Sequence, residues 1–254
     1  LFSRTVLETF LWTSNFMFLM ISGELNLTKR LDSAGDMLQF YLRRAVTVLL
    51  PMLLAILMMF SVDVALHGKH LSVGNLYASI LFTYSNTHLW FVYTLIGLIL
   101  SAPILAKAFR NMTNGELHVL FVVSILWFVT KNWLTRNLEI SFAFDGWFLD
   151  RYPFYFFAGF YLRRVLTPRG KKYLYIAGAL CCLLTVGIAH FFWDDFEGVF
   201  SDSPTYVFFV MAFYTMLTRE IPVKGWLERA VLFLGRHSFT IYLIHWTMLF
   251  EAVP

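Results

Sequence analysis

Long apolar runs separated by short charged clusters dominate this chain. A helix that crosses a membrane needs about 17–25 mostly apolar residues, and eight runs approach or reach that length. They are residues 6–21, 45–65, 90–109, 117–133, 142–162, 173–192, 204–217 and 239 to the end. The pattern predicts an all-α fold, a polytopic transmembrane helix bundle of about eight spans. Residues 76–82 are too short to cross and are typical of a re-entrant or interfacial piece.

The composition agrees with a membrane environment. Of 254 residues, 59% are apolar and only 14% are charged, with a mean hydropathy of +0.65. Soluble domains carry about 25% charged residues, so we interpret residues 1–254 as a single membrane-embedded domain. The net charge of +4 does not indicate a nucleic-acid partner, because the charges lie in clusters between the apolar runs. Cys181 and Cys182 are neighbours in one apolar run, which suits packing better than a disulfide.

The basic residues orient the predicted spans. Fifteen of the 20 Lys and Arg residues fall in one set of loops and five in the other. The positive-inside rule makes the first set cytoplasmic, so His88 and the acidic stretch 194–197 face outward. On this topology the chain begins outside, just before its first span, and ends within its last. We therefore expect a fragment that lacks one helix at each end.

Arg43 and Arg44 lie at the cytoplasmic mouth of the second run. They are either positive-inside anchors or ligands for the phosphates of a cytoplasmic donor, since guanidinium groups bind phosphate well. Adjacent residues in a helix point about 100° apart. At most one of the two arginines is therefore expected to face a central cavity.

A compact aromatic cluster opens the third run. Trp90 and Tyr93 are three residues apart and share a face of a helix that begins near Leu89. That face could stack on a sugar ring or line a pore, and His88 could move a proton near neutral pH. The alternative is an aromatic belt at the membrane interface with a histidine in the loop.

The last run carries a second candidate pair, Tyr242 and His245, which also share a helix face. A histidine inside a span is a functional candidate, and the alternative is a hydrogen bond between helices. Residues 235–238 are predicted to start this helix, with Ser238 as its N-cap.

Weaker signals lie elsewhere in the chain. Gly23, with Ser22, predicts close helix packing. Asp150 and Arg151 are expected to pair with each other. No metal is predicted, because His67 and His70 have no further ligands beside them.

Five motifs in order resemble the acyltransferase-3 family of bacterial inner-membrane proteins, which O-acylate surface carbohydrates. They are FLMISG (18–23), YLRR (41–44) with Pro51, HLWFVY (88–93) leading to Pro103, YFFAGFY (155–161) and SFTIYLIH (238–245). The resemblance implies a ten-helix bundle in the bacterial inner (plasma) membrane. It implies acyl-CoA, usually acetyl-CoA, as co-substrate with no bound cofactor, and a hydroxyl of a glycan or lipid-linked sugar as acceptor. The subgroup that O-acetylates polysaccharide antigens and exopolysaccharides is the most similar.

The resemblance gives the candidate residues their roles. Arg43 and Arg44 would bind the donor, and Trp90, Tyr93 and Tyr242 would line the acceptor side or the pore. His88 and His245 are the catalytic candidates present. The family's characteristic histidine lies on a first helix that we expect to be missing, so the fragment alone should be inactive.

The family pattern also has a further arginine where this chain has Thr47. Donor binding is therefore expected to be weaker or built differently. The rival interpretations are a transporter or exporter of glycans or small polar solutes and an inactive partner subunit.

Overall fold

The described parts of the chain consist almost entirely of helices. A computed structural model describes residues 2–68, 70, 72–81, 89–138, 148–191, 203–219 and 223–250. No strand occurs in these ranges, which confirms the all-α class for them. In chain order the helices are α1 Phe2–Leu11, α2 Thr13–Leu27, α3 Ala34–Arg44, α4 Leu50–His67, α5 Val73–Leu81, α6 Trp90–Asn111, α7 Asn114–Leu138, α8 Tyr152–Arg164, α9 Pro168–Phe191, α10 Pro204–Arg219 and α11 Trp226–Phe250. A π-helical segment, Ala45–Leu49, joins α3 directly to α4.

Three helical stretches of the described chain are long and apolar enough to cross a membrane. They are Ala34–Leu66, Trp90–Asn111 and Pro168–Phe191, and Asn114–Phe128 is a shorter apolar helix. These stretches coincide with four of the predicted runs and support a membrane protein. The count of about eight spans stays a prediction, and residues 142–147 of the fifth run lie outside the described residues.

Several helix boundaries differ from those predicted. The second run was expected to start at residue 45, yet α3 begins at Ala34 behind a capping box. There the Ser33 hydroxyl accepts the Asp36 amide at 3.0 Å, and the Asp36 carboxylate accepts the Ser33 amide at 3.0 Å. Such a cap stabilises a polar first turn that hydropathy alone does not detect. The first run is two helices, α1 and α2, separated at Trp12.

The prediction for the last helix was wrong at its start. Residues 235–238 do not begin α11, which already begins at Trp226. Ser238 is inside the helix, where its hydroxyl donates to the Gly235 carbonyl at 2.9 Å instead of capping an N-terminus. A serine in mid-helix satisfies its hydroxyl by such back-bonding, so its presence did not mark a helix end.

The helices group into two compact units. The first unit is Leu1–Leu31 with Ser101–Ile221, and the second unit is Asp32–Leu100 with Pro222–Pro254. Helix α6 contributes to both, since the boundary falls between Leu100 and Ser101. Every described candidate site residue belongs to the second unit.

Close contact between α2 and α8 organises the first unit. An ideal Cβ added at Gly23 would lie 1.7 Å from the Phe156 carbonyl oxygen, and one at Gly159 would lie 2.0 Å from that of Met20. The two backbones therefore touch at two reciprocal glycines, as close membrane-helix packing requires. This confirms the packing role predicted for Gly23.

Polar contacts lie at both ends of α8 in the first unit. Near the end of α8, the Arg164 guanidinium donates to the carbonyls of Phe109 and Met112, both at 2.7 Å, and thereby caps α6. Just before α8 begins, the Asp150 carboxylate lies 2.5 Å from the Lys131 ammonium of α7. Asp150 thus forms an ion pair with Lys131, which corrects the expectation that it pairs with Arg151.

The second unit packs α6 against the continuous α3–π–α4 helix. The Tyr41 hydroxyl donates to the Leu100 carbonyl at 2.9 Å and joins α3 to α6. Near the start of α6, the Tyr93 hydroxyl donates to the Ile80 carbonyl at 2.6 Å and joins α6 to α5. Helix α11 contacts α4. These contacts place the candidate residues of α3, α6 and α11 on one framework.

Candidate functional site

Arg44 and Arg43 have different surroundings in the second unit. Arg44 ends α3 and is half-buried, with its guanidinium carbon 5.5 Å from the centre of the Phe40 ring. Arg43 is exposed. The divergence is what a rotation of about 100° per helical residue predicts.

Arg44 lines a cavity between α3, the π segment and α6. The cavity has a volume of about 210 Å³, and its walls are Tyr41, Arg44, Ala45, Val48, Leu49, Ile96, Ile99 and Leu100. Among these described wall residues, Arg44 alone carries a charge. The cavity thus combines a guanidinium with walls that are almost wholly hydrocarbon.

The π segment follows Arg44 directly and forms part of the cavity wall. Such wide turns are uncommon and often occur at functional sites. Within it, the Thr47 hydroxyl donates to the Arg43 carbonyl at 2.8 Å, and Thr47 is exposed. The residue that replaces the family's further arginine therefore lies away from the cavity walls.

The cavity chemistry suits a ligand with an anionic group attached to an apolar or flexible chain. A guanidinium donates several hydrogen bonds in a fixed plane and matches phosphate geometry. Attraction between opposite charges increases as the surroundings become less polar, so the hydrocarbon walls increase the electrostatic attraction between Arg44 and an anion that enters.

Tyr93 and Trp90 make different contacts near the start of α6. Tyr93 uses its hydroxyl proton in the bond to Ile80, so its visible task is to fix the short helix α5. Trp90 is half-buried and its ring meets Phe91 edge to face, with centroids 5.9 Å apart. His88 lies outside the described residues, and its predicted role stays a prediction.

Tyr242 and His245 form a cluster with Phe91. The Tyr242 ring meets Phe91 at 5.6 Å between centroids and His245 at 5.5 Å. His245 Nδ1 lies 2.6 Å from the Tyr242 carbonyl oxygen. Since a carbonyl can only accept, Nδ1 donates this hydrogen bond and carries a proton.

Helix α6 connects the cavity to this cluster. Ile96, a cavity wall residue, is five residues from Phe91, or about 7.5 Å along the helix axis. The whole stretch from Trp90 to Leu100 covers about 15 Å. The cavity and the aromatic cluster thus lie at different levels along the same helix.

The sequence prediction missed some residues that build the site. Tyr41, Val48 and Ile99 had no assigned role, although residues 41, 44, 45, 48 and 49 follow the spacing of one helix face. That spacing was available in the sequence, but the partner face on α6 was not. Among the described residues, no three His, Cys, Asp or Glu side chains are grouped as a metal site.

Comparison with known proteins identifies the chain. The family model described as an acyltransferase domain, that of the acyltransferase-3 family, matches residues 16–250 and thus both units. A search of curated proteins and a search of solved structures each find no match. Because the family model covers nearly the whole sequence, the chain belongs to the acyltransferase-3 family of membrane acyltransferases.

Proposed function

We propose that the protein is a membrane O-acyltransferase. It moves an acyl group, in the first place acetyl, from cytoplasmic acyl-CoA to a hydroxyl of a cell-surface glycan or lipid-linked sugar. It does so as a multi-pass protein of the bacterial inner membrane, within the polysaccharide O-acetyltransferase subgroup. Family membership supports acyl transfer, and the position of Arg44 in an apolar cavity is the observation that carries the choice of donor.

Acyl-CoA has the two parts that the cavity favours. Its phosphates match the Arg44 guanidinium, and its acyl-pantetheine arm is a narrow chain that can run along Val48 and Ile99. We assign the phosphate contact to Arg44 because it lines the cavity, while exposed Arg43 faces the headgroup region. No third arginine is needed for this arrangement.

His245 acts as the base in the proposed transfer. The acceptor oxygen forms a bond to the thioester carbonyl carbon, and the carbon–sulfur bond breaks. Nε2 of His245 takes the proton from the acceptor hydroxyl and returns it to the leaving CoA sulfur. The hydrogen bond from Nδ1 to the Tyr242 carbonyl keeps the ring in the required tautomer. His88, where it approaches the acceptor, would assist from the outer side.

Aromatic side chains contribute the acceptor side. Trp90 and Tyr242 have aromatic rings of the kind on which sugars stack, and the Tyr93 hydroxyl joins α6 to α5 through Ile80. The acceptor approaches from the outer face and the donor from the cytoplasmic face.

Transfer of labelled acetyl tests the proposal. The intact protein, in vesicles that expose both of its faces to the medium, receives radiolabelled acetyl-CoA and a membrane glycan fraction, and the label in the glycan is measured against time. Arg44→Ala should raise the KM for acetyl-CoA about 10- to 100-fold, because a hydrogen bond to a charged group contributes about 1.5–3 kcal/mol. Arg43→Ala, which removes the same charge from the adjacent position, should change the KM for acetyl-CoA much less.

Two results would contradict the proposal. Equal effects of Arg44→Ala and Arg43→Ala on the KM would show that the Arg44 cavity does not bind the donor. Absence of transfer, together with saturable uptake of a sugar into sealed vesicles, would favour the transporter interpretation.

A further inference from the structure

We propose that the Arg44 cavity also takes an anionic phospholipid from the surrounding bilayer, and that this lipid competes with acyl-CoA. The competition rests on the proposed function, while the lipid site itself rests on the cavity. Membrane composition would then set the donor affinity of the enzyme.

The cavity is open on an apolar side. Its floor is buried, with Val48 8% and Ile99 5% exposed, but two wall residues remain open, Leu49 at 40% and Leu100 at 57%. These open leucines lie on helical stretches that are long and apolar enough to cross a membrane. Around such a stretch the solvent is lipid, so hydrocarbon chains reach the cavity mouth.

The charge of the cavity selects among lipids. A phosphate that enters meets the Arg44 guanidinium, a strong partner at this site. Among the described wall residues no carboxylate is present to pair with a choline or ethanolamine group. A headgroup with net negative charge, such as phosphatidylglycerol, is therefore favoured over a zwitterionic one.

The volume limits what can enter. About 210 Å³ exceeds the 150 Å³ of an engineered apolar cavity that holds benzene. The space fits a segment of one acyl chain below the phosphate and leaves the rest of the lipid in the bilayer. The pantetheine arm of acyl-CoA would need the same walls and its phosphates the same guanidinium, so the two ligands exclude each other.

Native mass spectrometry of the full chain, released from nanodiscs, tests the lipid site. The nanodiscs contain phosphatidylcholine with increasing phosphatidylglycerol, and the lipids that stay bound are counted. The wild-type chain should retain phosphatidylglycerol over phosphatidylcholine, and Arg44→Ala should weaken this about tenfold, the loss of one charge-assisted contact. Arg30→Ala is the matched control, because it removes the same charge from an exposed position.

A second variant protects the test against misfolding. Ala45→Leu narrows the cavity and keeps Arg44, so it too should lower phosphatidylglycerol retention while the melting temperature is unchanged. Equal loss in Arg44→Ala and Arg30→Ala would overturn the lipid site in favour of diffuse attraction to basic side chains. Equal retention of both lipids, or full retention in Ala45→Leu, would overturn it as well.

Added acetyl-CoA separates the two proposals. Displacement of phosphatidylglycerol by acetyl-CoA is the expected result. A lipid that binds at Arg44 but resists acetyl-CoA would preserve the lipid site, overturn the competition and contradict the donor assignment of the proposed function.

Discussion

At the scale of the residue, position within a helix turn decides which side chain meets the site. Arg43 and Arg44 are adjacent, yet only Arg44 lines the cavity. His237 and His245 share α11, yet His245 is half-buried beside Tyr242 while His237 is exposed. Residue type alone does not separate the two members of each pair, whereas the rotation about the helix axis does.

His245→Gln should test the base. Glutamine can hydrogen-bond but cannot take up the proton of the acceptor hydroxyl, so single-turnover acetyl transfer should fall about 10²- to 10⁴-fold. Acetyl-CoA binding, measured separately, should change little. His237→Gln on the same helix should retain full transfer, and equal activity of the two variants would return His245 to a packing role.

At the scale of the element, two kinds of signal specify the helices unequally. The long apolar runs of α6 and α9 ended close to their predicted limits because hydrophobic length alone defines them. The starts of α3 and α11 were misplaced, since polar first turns depend on caps and on tertiary contacts that hydropathy does not report. The packing of α2 on α8 was partly predictable. Gly23 indicated a close approach, but its partner Gly159 was visible only in the structure.

Gly23→Ala and Gly159→Ala should each separate α2 from α8. A Cβ at either position would overlap a backbone carbonyl, and overpacking of this kind costs about 1–3 kcal/mol. Thermal unfolding in detergent should show a lower melting temperature. Gly187→Ala is the control, because a Cβ there meets nothing within 4 Å and alanine favours a helix by about 0.5–1 kcal/mol. A similar loss in all three variants would contradict the close contact.

At the scale of the whole molecule, the polar contacts of the first unit lie at the two ends of α8. The Arg163 and Arg164 end of α8 bonds to Glu24 and to the end of α6. The Lys131–Asp150 pair lies at the N-terminal end of α8, just before the helix begins. Thirteen helical residues separate these polar ends by about 20 Å. The arginines of the first set fall in the loops that the positive-inside rule predicts to be cytoplasmic.

Labelling with a membrane-impermeant thiol reagent tests that orientation. Cys181 and Cys182 are free thiols, so both are first replaced by alanine. In intact cells, a cysteine at Lys171, beside the basic end of α8, should resist the reagent, while a cysteine at Asp195 should react. After the membrane is opened, Lys171→Cys should react as well, which shows that its thiol is accessible and was shielded only by the bilayer. The reverse pattern in intact cells would invert the topology. Arg44 would then face away from the cytoplasmic pool of acyl-CoA, and the donor assignment would fail with it.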